Sequence, residues 1–246
     1  MANRSLGWRI APRLLALAVV VAVTLGAGWS WAQQTTMPRA TGQVPLQARI
    51  KMLENPQRDQ TQKPVAVLKA LNLKPGMTVA DIGAGSGYFT RRFARAVGPT
   101  GKVYAVDISS DILGYVKARA KKEGMNNIQT VLDKPDDPML PASSVDLAFL
   151  SDVSHHIDHR TAFYTKIYQA LKPDGRMAII DFPPQAHNKG WCPHQTNELV
   201  PAWENIREAQ DAGFKLDRTY DFLPHSYFLV FDKGDQWPAG AQAVGK

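Results

Sequence analysis

The sequence predicts an α/β protein: a doubly wound, mostly parallel sheet of seven strands that ends in an antiparallel C-terminal edge hairpin. Two observations carry this expectation. From Pro64 onward, short apolar runs alternate with helical stretches of about 10–15 residues, the pattern of parallel strands joined by crossover helices. The last two apolar runs, Phe214–Phe222 and Ser226–Phe231, are separated only by Leu223-Pro224-His225. Parallel neighbours need a crossover of about a dozen residues or more, so this pair is antiparallel and lies at an edge. Length and composition agree. A chain of 246 residues, 44% hydrophobic and 21% charged, suits one packed domain with short appendages rather than a disordered or fibrous chain.

Each element has a local reason. Residues 33–62 are polar and glutamine-rich, with Pro38, Pro45 and Pro56, and read as a leader with a short helix near Leu46–Leu53. Val65–Leu71 is an amphipathic helix closed by Lys74-Pro75-Gly76. Thr78–Ile82 is the first strand, Gly83–Gly87 a glycine loop, and Tyr88–Val97 a helix ended by Gly98-Pro99-Thr100-Gly101. Lys102–Val106 is the second strand. Ser109–Glu123 is a helix opened by Ser109 as cap, with Gly124 just past its end. Ile128–Leu132 is the third strand, Asp133–Ser144 a loop, and Val145–Leu150 the fourth strand. Arg160–Leu171 is a helix stopped by Lys172-Pro173-Asp174-Gly175, and Arg176–Asp181 is the fifth strand. A loop over 182–196, rich in Pro, His and Trp, leads to a helix over Asn197–Ala212 and then to the closing hairpin. The tail over 234–246 reads as disordered.

The amino terminus carries an export pattern. Arg4, Arg9 and Arg13 precede the apolar run over 14–28, and Ser30-x-Ala32 supplies a small-x-small ending. Residues 1–32 are therefore expected to be a signal peptide cleaved after Ala32. If the segment stays, Trp29 and Trp31 suit a membrane interface and the chain remains close to the membrane. Either way the expected location is periplasmic or otherwise extracytoplasmic. The formal net charge is +7. From residue 33 onward it falls to +4, with 26 basic against 22 acidic side chains. So small and dispersed an excess gives no argument for nucleic-acid binding. Cys192 is the single cysteine, which excludes an intramolecular disulfide and a multi-cysteine zinc site.

The most informative stretch is Val79-Ala80-Asp81-Ile82-Gly83-Ala84-Gly85-Ser86-Gly87-Tyr88-Phe89. An apolar strand runs into three alternate glycines and then a helix. Glycine lets the backbone turn sharply and lets a ligand lie against it. A dinucleotide loop needs G-x-G-x-x-G, and Tyr88 breaks that spacing. G-x-G-x-G with Asp81 two residues ahead fits a small adenosine ligand without phosphates; the bland alternative is a plain tight turn. Asp107 ends the second strand, where a carboxylate can accept from both ribose hydroxyls.

At these residues the chain resembles a class I S-adenosylmethionine-dependent methyltransferase, close to the small-molecule, type 11-like branch. Leu73-Lys74-Pro75-Gly76 with Val79–Gly87 resembles the family's first motif, and Tyr104–Ile108 its second. Asp136-Asp137-Pro138-Met139-Leu140-Pro141 resembles the acidic loop, Val145-Asp146-Leu147-Ala148-Phe149 the fourth strand, and Leu171–Arg176 the turn into the fifth. The resemblance implies a Rossmann-like methyltransferase domain over 63–233, preceded by a leader or lid segment over 33–62. It implies S-adenosyl-L-methionine as cofactor. Gly83, Gly85 and Gly87 would approach its methionine part, with Asp81 beneath. Asp107 would hold the ribose, Ile108 would pack on adenine, and Asp136 would accept from the adenine amino group.

The chemistry expected of the protein is alignment of donor and acceptor and removal of an acceptor proton. Ser151-Asp152-Val153-Ser154-His155-His156-Ile157-Asp158-His159 follows the fourth strand and supplies the candidates. His155 or His156 would act as base with Asp152 orienting it. A purely structural or substrate-shaping role is the competing expectation. Adjacent histidines rarely both ligate one ion well, so no metal site is expected. His187, Trp191, Cys192 and His194 form a second cluster, expected to be a pocket wall. Glu54–Asp59 reads either as a lid or as a solvated linker. With no sizeable inserted substrate domain, the expected partner is a small-molecule methyl acceptor and not nucleic acid. The alternative is an exported, non-catalytic binding module that keeps the fold. Three routes reconcile a cytoplasmic cofactor with export: supply outside the membrane, binding without turnover, or a misassigned start or a segment that only anchors.

Overall fold

The structure, a computed structural model, describes residues 44–190 and 194–234. The expected signal peptide, the first part of the expected leader (33–43), Trp191, Cys192, Pro193 and the tail beyond Gly234 lie outside the described residues. Chain order is α1 (Leu46–Leu53), α2 (Arg58–Gln62), α3 (Pro64–Leu71), β1 (Thr78–Ile82), α4 (Tyr88–Val97), β2 (Lys102–Asp107), α5 (Ser110–Lys122) and β3 (Ile128–Leu132). Then follow β4 (Val145–Ser151), a 3-10 turn (Ser154–His156), α6 (Arg160–Ala170), β5 (Leu171–Asp181) and α7 (Gln185–Asn188). A second 3-10 turn (Thr196–Glu198), α8 (Ala202–Asp211), β6 (Phe214–Tyr220) and β7 (Tyr227–Lys233) complete the fold.

The seven strands form one sheet in the order β3-β2-β1-β4-β5-β7-β6. The first five run parallel; β7 pairs antiparallel with β6, as their short connection required, and also with β5. Strand order reverses between β1 and β4, so a crevice opens at their carboxyl ends. Alternation within each strand builds two apolar layers. Ala80, Ile82, Val106, Ala148 and Leu150 pack with Tyr164 and Ile167 of α6 and Ala209 of α8 on one face. Val79, Val103, Leu147 and Phe149 pack with Val67 of α3 and Phe89, Phe93 and Val97 of α4 on the other. Phe89, Phe93 and Phe149 meet edge-on or stacked at centroid distances of 4.8–5.7 Å. This is the doubly wound architecture that the alternation predicts.

Most boundaries agree to within one or two residues, the expected loop over 182–196 contains α7 and the start of the second 3-10 turn, and two boundaries move further. The last long helix begins at Ala202 rather than Asn197: Leu199 and Pro201 are extended, with ψ 141° and 149°, and a proline disfavours the helical conformation of the residue before it, here Val200. The fifth strand begins at Leu171, which pairs with Val145, while Arg176 pairs with Leu147. The Lys172–Gly175 turn is thus a bulge inside a strand. Lys172 Nζ and the Thr78 amide both donate 2.7 Å hydrogen bonds to Asp146 Oδ2, which pins this end of the sheet. Among the described residues no helix is long and apolar enough to cross a membrane.

Candidate functional site

The glycine loop joins β1 to α4 at the crevice. Gly83, Gly85 and Gly87 have φ of 67°, 53° and 77°, a region that side chains disfavour. Space adds a second constraint at Gly83, where a Cβ would stand 2.1 Å from Val153 Cγ2. The loop is closed by the Ala84 amide donating to Val106 O (2.9 Å) and the Gly87 amide to Ala84 O (2.9 Å). Arg91 on α4 donates from Nη1 to Ser86 O at 2.9 Å.

Asp107 ties this loop to β2. Its Oδ2 accepts from the Gly85 amide and its Oδ1 from the Ser109 amide, both at 2.9 Å. Each carboxylate oxygen has a second lone pair, so two more hydroxyl donors can be accepted. Burial raises its pKa above the ordinary value. Ile108, next in sequence, is 56% exposed, an apolar side chain at the crevice edge. Asp81 is buried beneath the loop, accepts from Thr90 Oγ1 at 2.5 Å, and is pushed up to about 7 by burial.

The acidic loop is arranged differently from the sequence expectation. Asp136 is exposed, in a turn closed by the Lys134–Asp137 bridge. Asp133 is the acid beside Asp107: its amide donates to Asp107 O at 3.3 Å, and its Oδ1 is buried with no protein partner. Burial, and then the Asp107 charge, push the Asp133 carboxyl up to about 7. The signal was available in register. Asp107 pairs with Leu132, so the residue after β3 must fall beside the end of β2.

The catalytic candidates follow β4. Asp152 has φ 57°, and its Oδ2 accepts from Gln62 Nε2 at 2.8 Å with Arg58 Nη2 at 4.0 Å. Its Oδ1 is buried without a partner, and burial followed by the Asp181 charge pushes the carboxyl up to about 7. Asp152 does not orient a histidine. Asp181, at the end of β5, does so: its Oδ1 lies 2.7 Å from His155 Nδ1, with both side chains fully buried. Asp181 Oδ2 also accepts from Ser154 Oγ (2.5 Å) and the His155 amide (3.2 Å). Asn205 of α8 braces Ser154 through Nδ2 (2.9 Å) and accepts from Tyr164 Oη through Oδ1 (2.5 Å). Burial works against the charged form of His155, but its hydrogen bond to Asp181 outweighs that and its pKa is raised; Asp181 is held below the ordinary carboxylate value by the same pair.

Sequence spacing pointed to Asp152 because it is near in the chain. Asp181 is 26 residues away and meets His155 only because β4 and β5 are neighbours. The same folding brings in His194. Ring centroids of His155 lie 4.1 Å from His156 and 4.4 Å from His194, and His156 lies 5.0 Å from His194. His187, the other described member of the second cluster, has a buried Nδ1 without a protein partner.

The segment before the sheet covers this crevice. Leu53 of α1 approaches Gly85, whose Cβ would stand 3.4 Å from Leu53 Cδ1. Glu54 pairs with Arg91 (3.0 Å) and Arg119 (3.2 Å). Asp59 accepts from Tyr88 Oη at 2.5 Å and pairs with Arg92 at 3.0 Å, while the Arg58 and Arg92 guanidinium groups lie 4.2 and 3.9 Å from the Tyr88 ring. The Glu54–Asp59 stretch is therefore a fastened cover and not a solvated linker. Gln62, buried and bonded to Asp152, is a site residue that sequence reasoning missed.

Comparison with known proteins places these features. Residues 73–222 match a family model described as a methyltransferase domain. The chain is 31% identical over 161 residues to the ubiquinone/menaquinone biosynthesis C-methyltransferase UbiE of Burkholderia vietnamiensis. That alignment covers 63% of this chain and 61% of the relative, so the chain spans less than two thirds of the length of the curated relatives it matches. A solved SAM-dependent methyltransferase from Aquifex aeolicus superimposes with a TM-score of 0.71 at 27% identity, covering 77% of this chain and 99% of the other. The geranyl diphosphate C-methyltransferase of Streptomyces coelicolor, solved with S-adenosyl-L-homocysteine, shares the fold at TM-score 0.61 and 13% identity, over 76% of this chain and 85% of its own.

Proposed function

The chain belongs to the methyltransferase domain family, and on that premise we propose that it transfers the methyl group of S-adenosyl-L-methionine to a small-molecule acceptor. The observation that carries this reading is the loop of three left-handed glycines tied by Asp107 to the end of β2. The residues fit the cofactor. Asp107 keeps lone pairs for two ribose hydroxyls, and Asp133 offers a buried oxygen without a protein partner for the adenine amino group. That placement favours Asp133 over the exposed Asp136. Gly83, Gly85 and Gly87 bring backbone without side chains to the crevice where the methionine part would lie, with Asp81 buried beneath the loop. Ile108 supplies an apolar face for adenine.

When bound, the cofactor supplies a methyl group on a sulfonium, already electrophilic. The protein's work is alignment and exclusion of water. Leu53, Glu54 and Asp59 hold the cover against the glycine loop. Val153 packs against Gly83, so the turn that follows β4 is seated beside the methionine end. That turn carries His155 and His156, and the acceptor is placed against them. An acceptor with an acidic proton, such as a phenol or an activated carbon, loses it at this cluster. Asp152 stays with Gln62 and Arg58, anchoring the cover.

The domain is proposed to work outside the inner membrane, supported by the arginines, apolar run and Ser30-x-Ala32 of residues 1–32. Amino-terminal sequencing of protein from a periplasmic fraction tests the location. The activity is tested by calorimetry with S-adenosyl-L-methionine and S-adenosyl-L-homocysteine, and by transfer of a labelled methyl group to candidate acceptors. Binding with product formation supports an enzyme. Binding with no product from any acceptor supports the non-catalytic module, and no binding overturns the reading.

A further inference from the structure

We propose that His155, His156 and His194 form a binding site for one divalent transition-metal ion of the zinc class, with a coordination position left for the acceptor. Their ligand atoms all lie within 4.8 Å of one another. His155 is the fixed member. Its side chain is fully buried, Asp181 occupies Nδ1 at 2.7 Å, and Nε2 is buried without a protein partner. A buried imidazole nitrogen without a partner is costly, and an ion beside it removes that cost. A carboxylate behind the distal nitrogen is the arrangement that fixes metal-binding histidines. At His194 a carboxylate also lies on the Nδ1 side but more loosely, with Glu198 Oε2 at 3.8 Å, beyond hydrogen-bond distance.

Zinc–nitrogen bonds of about 2.0–2.1 Å place tetrahedral ligand atoms about 3.3 Å apart, so closure requires a contraction of about 1.5 Å at most. His156 is exposed and His194 half-buried, and both can turn toward the rigid His155. Three imidazoles with no carboxylate oxygen among them favour zinc, cobalt, nickel or copper over magnesium or calcium. Three protein ligands with an open fourth position are the composition of a catalytic rather than a structural site. The objection from sequence was that adjacent histidines ligate together poorly. The 3-10 turn over Ser154–His156 answers it by setting the two rings 4.1 Å apart, and His194 supplies the third side.

The inference deepens the methyl-transfer reading. An acceptor oxygen on the ion would be polarised and would lose its proton at lower pH than in water, and His155 then serves as ligand instead of base. Metal binding is nevertheless measurable without turnover. Tag-free full-length protein, stripped with chelator, is titrated with Co2+ and with Zn2+, and cofactor affinity is measured on the same samples. One equivalent of Co2+ is expected, with the strong visible bands of a four- or five-coordinate nitrogen site, displaced by Zn2+. His194→Ala is expected to weaken binding at least tenfold, and Asp181→Asn by about 10–100-fold. His187→Ala should leave it unchanged. If His155→Ala fails to fold, His194→Ala, on a loop outside the buried network, decides. Absence of stoichiometric binding overturns the proposal, as does equal affinity in the native chain and His194→Ala. Retained cofactor binding with no metal would overturn this inference alone; loss of cofactor binding in the native chain would overturn the methyltransferase reading.

Discussion

Four aspartates near the crevice respond to their surroundings: Asp107, Asp133 and Asp152 are raised by burial, whereas Asp181 is held down. Asp107 has two amide donors, and a cofactor ribose adds two more to the same oxygens. Asp107→Ala is expected to weaken S-adenosyl-L-methionine binding by about 1–3 kcal/mol, read by calorimetry. Asp133 has a buried oxygen and a neighbouring negative charge, which push it up to about 7. At alkaline pH the free protein must hold it ionised at a cost. Asp133→Asn should therefore melt no lower than the native chain near pH 8, yet bind the cofactor more weakly; thermal denaturation with and without cofactor reads both. Asp152 is another acid pushed up, whereas Asp181 is held down by His155.

The glycine loop and the turn after β4 are coupled through one contact between elements. At Gly83 the strain of a left-handed residue adds to a collision with Val153. Gly83→Ala is expected to destabilise the protein by roughly 1–3 kcal/mol, and Val153→Ala in the same chain should recover part of that loss. The φ penalty remains, so recovery is incomplete; full additivity in the double-mutant cycle would show that the two elements do not touch. The cover depends on Glu54 in the same way. Arg91 is 9% exposed and pairs with Glu54 at 3.0 Å and with Glu123 at 3.8 Å. Glu54→Gln leaves that guanidinium short of charge and should cost about 1–2 kcal/mol. It should also speed cofactor release in stopped-flow measurements, because Glu54 caps α1 and so fastens the helix that carries Leu53 against Gly85.

Across the whole molecule, three raised carboxyls set one pH trend. Asp81, Asp133 and Asp152 are moved from 3.8 to about 7. Between these values the folded chain holds protons that the unfolded chain has lost, so stability falls as pH rises through this range. His155, also raised, contributes stability that is lost in the same direction. The melting temperature of the free protein is expected to decline between about pH 5 and pH 8. Cofactor affinity should move oppositely. A cationic ligand prefers ionised Asp81 and Asp133, so binding releases protons below about pH 7 and strengthens until they are gone. Calorimetry in buffers of different ionisation enthalpy counts those protons. A melting temperature that rises with pH over this window would contradict the burial assigned to these groups.

The sequence alone determined whatever depends on neighbours in the chain. Alternating strands and helices, the glycine loop, the acid ending β2 and the closing hairpin are short-range patterns, and the antiparallel sense of the last two strands followed from their short connection; the order of the strands in the sheet came from the tertiary structure. The ends of elements were less legible where packing competes with local preference, as at Pro201 and at the bulge before Arg176. Pairs across strands were decided by the tertiary structure. Asp181 meets His155, Asp133 meets Asp107, and His194 meets His155 and His156 only because β5 lies beside β4, β3 lies beside β2, and the loop beyond β5 returns over the crevice. A one-dimensional reading favours the acid nearest in the chain, Asp152, or the acid at the motif-like position, Asp136. Folding selects partners by distance in space, where separation along the chain imposes only a slowly growing entropic cost.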